Sequence, residues 1–334
     1  MTGSGFFRRK TLDLLRVYIS LAKLIIPVAL LTETLSRLGV IAAIAPLFDL
    51  VMSFYGLPPE LGLAWLTGIL IGLWGAITLI FTLVPASQLS VADITIFSAL
   101  LLFVHALPIE QGIIRRAGPG LLATTLIRVG GGMIYAALLH AISAATGWLQ
   151  RPLHGMWQPM SQTQGWGGFL LGLAEAMGWM LIVLLVLGWA MELLRVTGIM
   201  DLLGRLIDPV LRLAGIGREA RHFAVIGTLL GVAYGGGLMI AEARSGRIPP
   251  RQIFAACVFM GFSHSLIEDT AIVMALGADG LAVLWGRLLF AILATALIMR
   301  VVDRLPPALF SIWCFPGAGS AVSRETAGAD GPSR

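Results

Sequence analysis

The sequence predicts an all-α, polytopic membrane bundle of eight to ten membrane helices, built from two duplicated repeats in inverted orientation. Three observations predict it. Of 334 residues, 57% are apolar and only 12% are Asp, Glu, Lys or Arg, about half the roughly 25% charge of a soluble domain. Apolar runs of spanning length recur along the chain, at 16–35, 61–83, 92–109, 120–145, 169–191, 223–241, 253–276 and 281–302. Finally, a shift of 159 residues superposes the two halves without a gap from about 33 to 139, setting Glu33 on Glu192, Asp49 on Asp208, Glu60 on Glu219, Gly72 on Gly231, His105 on His264 and Arg128 on Arg287. Apolar coincidences are cheap in such a chain, whereas matched His, Arg, Glu and Asp are not.

The composition excludes a soluble globular enzyme, a disordered protein and a disulfide scaffold. The mean hydropathy of +0.90 agrees. The net charge of +5 comes from basic residues in short clusters at the ends of apolar runs, among them Arg115-Arg116 and Arg244/Arg247/Arg251. That is the pattern of positive-inside topology signals and not of a nucleic-acid surface. Neither Cys257 nor Cys314 belongs to a CxxC, so a redox centre or cysteine zinc site lacks support.

Taken in order, residues 1–15 form a basic cytoplasmic N-terminus, and 16–35 the first span. That run contains Lys23 and lacks a small-x-small cleavage site, so it reads as an uncleaved span. Residues 16–145 make the first repeat and 169–302 the second. Segments 40–55 and 199–214 are too short to span comfortably; the latter sets Asp201, Arg205, Asp208 and Arg212 on one helical face. If both short segments cross, each half has five elements and the halves are antiparallel, with the basic clusters cytoplasmic except Arg218 and Arg221. If they stay interfacial, the repeats are parallel and Arg115-Arg116 moves outside, so the charge bias favours inversion. Residues 146–168 form a polar connector with Pro152, Pro159 and three tryptophans at headgroup level. The small, polar stretch 303–334 reads as a disordered tail.

The residues that carry chemistry interrupt the apolar runs. Tyr234 precedes three consecutive glycines, Gly235, Gly236 and Gly237. Each costs a helix about 1 kcal/mol against Ala, so the triplet reads either as an unwound helix lining a ligand cavity or as a close-packing surface. Ser263, His264, Ser265, Glu268 and Asp269 crowd one span. On a helix, His264 and Glu268 share one face, and Ser265 and Asp269 share the next. An ionised residue at the bilayer centre costs ~2.5–3.5 kcal/mol, which makes this cluster a candidate site, the alternative being a structural polar network. The first half carries His105 and Glu110 at matching positions, with Pro108 expected to break the helix. Arg128 and Arg287 either balance these acids, bind an anionic group, or snorkel to the interface. A histidine with two carboxylates suits a divalent metal, but no third ligand is identified and the metal stays unassigned. Phosphate-loop, GxSxG and HExxH motifs are missing from the sequence, so neither an enzyme nor a cofactor is expected.

These segments resemble the nucleoside-recognition, or gate, family of membrane proteins. The stretches that carry the resemblance are HALPIE at 105–110, YGGGLMIAEARSG at 234–246, GFSHSLIEDT at 261–270 and WGR at 285–287. It extends over about 16–302 as two gate repeats and is similar to the stand-alone bacterial members. It implies a multi-pass protein of the bacterial inner membrane whose partners are the lipid bilayer and a small-molecule or ion ligand, with nucleic acid excluded and a homo-oligomer compatible. Repeated halves around a midplane site are the usual build of secondary transporters. The expected function is binding or transport of a small polar solute, coupled to protons through His264; the alternative is a non-transporting assembly or signalling component. On the sequence alone, neutralising Glu268 or Asp269 abolishes solute uptake and leaves membrane insertion intact, and wild-type uptake by both variants refutes it.

Overall fold

Helix dominates because the chain offers long apolar stretches with few breakers, and a bilayer leaves backbone groups no other donors or acceptors. The computed structural model describes residues 3–40, 43, 46–153 and 165–316. Among them the only bridge of strand type pairs Ser90 with Pro152, and six helices are long and apolar enough to cross a membrane: Thr11–Leu35, Val91–Ala117, Leu121–Thr146, Gly165–Leu194, Pro250–Ala275 and Leu281–Val302. The all-α polytopic class holds.

Span Leu281–Val302 shows how sequence periodicity becomes a two-faced helix. Leu281, Trp285, Leu289, Leu293, Leu297 and Val301 are exposed, whereas Val283, Arg287, Ala291, Thr295 and Met299 are buried. The exposed stripe is wholly apolar and suits lipid; the buried one carries the arginine.

Two expected spans are broken at a glycine. Run 61–83 divides into Leu61–Ile71 and Leu73–Leu83, broken at Gly72 with φ 125° and ψ −180°. Run 223–241 divides into Arg218–Val225, a π-helical turn Ile226–Leu230, and Val232–Arg244. The break falls at Gly231, φ 85° and ψ 155°, backbone that is essentially reserved for glycine. The triplet Gly235–Gly237, by contrast, is helical, which corrects the unwound alternative at those positions. Positive-φ positions recur 159 residues apart: Gly39 and Gly198, Gly56 and Gly215, Gly72 and Gly231, Ala106 and Ser265, Gly118 and Gly277.

The ends also differ from expectation. The basic N-terminal stretch belongs to one helix, Gly3–Arg37. In the connector, residues 149–153 are clipped to the start of Val91–Val104 by Val91 N–H to the Arg151 carbonyl and Ala92 N–H to the Leu149 carbonyl, and helix resumes at Gly165. Residues 154–164 of the connector lie outside the described residues, as do 317–334 of the tail. The tail expectation fails before that point: Phe310, Cys314 and Phe315 are buried. Arg251 holds this segment by donating to the Val302 and Leu305 carbonyls at 2.6 and 2.8 Å and lying over the Phe310 ring. The Gly120 N–H donates to the Cys314 carbonyl at 2.8 Å.

The chain divides into two compact units. In the first, Met1–Ala106 with Ala136–Leu202 and Ala271–Val283, Gly188 lets the first helix approach Gly165–Val196, since a Cβ there would meet Leu14 at 2.4 Å. In the second, Leu107–Tyr135 with Leu203–Thr270 and Leu284–Arg334, helix Leu107–Ala117 packs against Val232–Arg244. Gly236 is the contact, its missing Cβ leaving room for Ile113. The amphipathic helix Ile199–Leu213 buries Ile207 and Leu211 while Arg205 and Arg212 are exposed; the side chain of Asp201 lies outside the described set.

Replacing Gly72 or Gly231 with Ala is expected to destabilise the protein by about 1–3 kcal/mol. Gly237→Ala, which meets nothing within 4 Å, should be neutral or stabilising by up to ~1 kcal/mol. Thermal unfolding in detergent compares the three.

Candidate functional site

The site begins with a helix that stops inside the membrane. Pro250–Ser263 ends at His264, φ −64° and ψ 157°, and Ser265 takes φ 49°, an uncommon value for a residue with a side chain. Helix returns at Glu268. His264 and Glu268 therefore do not share a face of one helix, because the chain leaves the helix between them. The first half does the same at His105, φ −61° and ψ 151°, followed by Ala106 at φ 50°. There the helix restarts at Leu107. Pro108 thus opens the next helix and does not break the previous one, its missing N–H costing nothing in a first turn.

The break fixes the histidine. Both the N–H and Nδ1 of His264 face the Met260 carbonyl, at 2.8 and 3.0 Å. A carbonyl only accepts, so Nδ1 carries the proton and Nε2 is left to the interior. His105 is held in the same way against Leu101, at 2.9 and 3.2 Å, within the other unit.

Around His264 Nε2 stand two opposite charges. Helix Leu107–Ala117 supplies Glu110, and Leu121–Thr146 supplies Arg128 on its buried stripe. Arg128 Nη2 lies 2.6 Å from Glu110 Oε2 and 3.2 Å from His264 Nε2, while Nε2 is 3.3 Å from the same carboxylate oxygen. Exposure is 3% for Glu110, 2% for Arg128 and 0% for His264. A neutral imidazole accepts from Arg128 at Nε2; a protonated one donates there to Glu110. One nitrogen thus chooses between two neighbours according to its proton. Beside the pair, Thr124 donates to the Gln111 side chain at 2.9 Å.

Arg287, fully buried, closes the other side. Its Nε donates to the Phe262 carbonyl at 2.7 Å and its Nη2 to the His264 carbonyl at 2.9 Å. That excludes snorkelling for this side chain. Phe262 also lines an apolar cavity of about 440 Å³ with Gly130, Gly131, Phe290 and Leu293. Gly131 is required there, since a Cβ would stand 2.3 Å from the Phe262 ring.

The remaining candidates take separate places. Asp269 and Ser265 are buried and Glu268 half-buried at the start of the returning helix. Ser263 donates to the Phe259 carbonyl of its own helix at 2.9 Å. Gly235 and Gly236 serve packing, against Ile226 and Ile113, and the Tyr234 side chain lies outside the described set. Sequence reasoning missed Gln111 and Thr124, and three buried threonines, Thr228, Thr270 and Thr295. Their hydroxyls have no hydrogen-bond partner among the described residues, unlike Thr34, Thr67, Thr95 and Thr197, which donate back to their own helices. Thr295 could have been found, as it lies eight residues beyond Arg287 on the same stripe.

Comparison with known proteins agrees with the membrane class. Residues 168–279 match the family described as Gate: Nucleoside recognition. The match contains Tyr234, the glycine triplet and the 263–269 cluster, whereas Glu110, Arg128 and Arg287 lie outside it. An uncharacterized membrane protein of Bacillus subtilis (strain 168), YvoD, is 26% identical over 298 residues, covering 86% of this chain and 92% of the relative. No solved structure matches the chain. The chain is a multi-pass membrane protein with a gate-like segment in its second half.

Arg128→Met leaves Glu110 buried without its cation and is expected to cost about 3–5 kcal/mol of stability. Adding Glu110→Leu should recover most of that loss. A double-mutant cycle by unfolding in detergent reads the coupling.

Proposed function

We propose that the protein binds a small polar solute, nucleoside-like or ionic, and moves it across the bacterial inner membrane with proton coupling. The observation that carries this reading is the buried triad of Glu110, Arg128 and His264. Charged groups inside a membrane are costly and mark solute and proton paths. Two members come from the first half of the sequence and one from the second, with Arg287 behind it. The paired left-handed positions 159 residues apart support descent of the halves from one duplicated unit. The gate match over 168–279 supports recognition of a small molecule.

In the coupling cycle, His264 without a proton on Nε2 accepts from Arg128, leaving Glu110 to the guanidinium alone. Protonation reverses Nε2 to a donor toward Glu110 and weakens the hold of Glu110 on Arg128. The guanidinium is then released toward a solute oxygen, for which its planar donors are suited. Loss of the proton restores the first arrangement and frees the solute. The proton and the solute thus bind together, each favouring the other, at neighbouring atoms of one network.

Purified protein in liposomes carrying an internal pH dye tests this, with uridine and adenosine as probes. Wild type should take up nucleoside with a matching pH change. Glu110→Gln and His264→Gln should lose at least about tenfold in rate, equivalent to ~1.4 kcal/mol on the barrier, while remaining monodisperse. A wild type without nucleoside-dependent flux that co-purifies with a fixed membrane partner would instead make it an assembly component.

A further inference from the structure

We infer that Arg287 is a resident cation, seated where a broken transporter helix otherwise binds a coupling ion, and that it makes this protein independent of sodium. The inference rests on the solute-binding reading above and specifies its coupling ion.

The final carbonyls of a helix carry partial negative charge and have no N–H of their own helix to accept from. Inside a membrane such half-helix ends and unwound carbonyls are where transporters coordinate sodium or protons. At the end of Pro250–Ser263 part of this charge is already met by donors of the chain. The Phe259 carbonyl accepts from Ser263 Oγ at 2.9 Å, and the Met260 carbonyl from the His264 N–H and Nδ1. The Phe262 and His264 carbonyls accept from Arg287 at 2.7 and 2.9 Å. A metal cation approaching these oxygens must displace a guanidinium that does not deprotonate in proteins. If the guanidinium stayed, two unit charges about 4 Å apart at an effective dielectric of about 20 would weaken cation binding about a thousandfold.

The seat is built for the arginine. Arg287 has no exposed surface and lies on the buried stripe with Val283 and Ala291. A π-helical turn, Leu281–Gly286, immediately precedes it and sets its register. Its grip on the His264 carbonyl also holds the residue whose imidazole meets Glu110, so the fixed charge positions the proton-carrying ring. A proton needs no ring of carbonyls, only His264 Nε2 and Glu110.

The test uses the full chain in detergent, with thermal unfolding and ²²Na⁺ binding as readouts. Wild type should melt at the same temperature in sodium chloride as in choline chloride of equal ionic strength, and should retain no ²²Na⁺ above background. Arg287→Ala should melt several degrees lower and be restored by millimolar methylguanidinium, which should leave wild type unchanged. Sodium-specific stabilisation or ²²Na⁺ retention by wild type overturns the proposal, as does an Arg287→Ala variant that methylguanidinium leaves unrestored. If that variant does not accumulate, Arg287→Lys replaces it, with an intermediate melting temperature expected; equality with wild type also overturns the proposal. None of these readings depends on solute flux, so failure of the transport assay is separable from failure here.

Discussion

A helix that ends inside a bilayer exposes carbonyls to a medium that cannot donate to them, and this constraint organises the second compact unit. Water is not there to donate to the helix end, so the chain must bring its own donors to the break. Arg287 is the principal one. Its position on an otherwise apolar span dictates which stripe of that span faces inward, and the register of the span follows from the place of one side chain. Arg251 does similar work at the end of Arg287–Val302, where it donates to two carbonyls and carries an aromatic ring against its plane. The helix end closed by Arg287 explains why a chain with so few charges retains this one in a costly position.

The same break produces the chemistry. A histidine at the last helical position sends its imidazole back to the carbonyl four residues earlier and turns its other nitrogen inward. Its tautomer is then a consequence of backbone geometry, and the acid and the arginine need only be brought to Nε2. They arrive on Leu107–Ala117 and Leu121–Thr146. Buried ion pairs are weak stabilisers compared with apolar replacements, so stability alone does not account for their retention.

Much of this was legible in the sequence, and the failures share a cause. Apolar runs and interior charges are properties of composition, and they located the spans and the expensive residues, including Glu110, Arg128, His264 and Arg287. What composition does not encode is the backbone angle at a single position. The glycine triplet at 235–237 looked the best place for an unwound helix, yet close packing explains Gly235 and Gly236 and the break sits at Gly231. No local signal separates a glycine kept for its angle from one kept for its size. The His264–Glu268 spacing assumed a continuous helix, and the conformations of His264 and Ser265 show otherwise. Pairing across the sequence, Glu110 with His264, was equally invisible, since the matched register related His105 to His264 and Glu110 to Asp269. The small, polar tail misled because its anchors, Phe310 and Phe315, are few and bind through ring stacking and backbone contacts rather than through apolar runs.

The bond from the Gly120 N–H to the Cys314 carbonyl sets an order on biosynthesis. Gly120 opens the helix that carries Arg128, and its partner is made almost at the end of the chain. At about 5–20 residues per second, roughly 10–40 s of synthesis separate the two. Throughout that interval the helix start waits without this partner. The protein therefore cannot complete this unit as its spans emerge one by one. The last backbone bond at that helix start forms only after the ribosome has delivered Cys314.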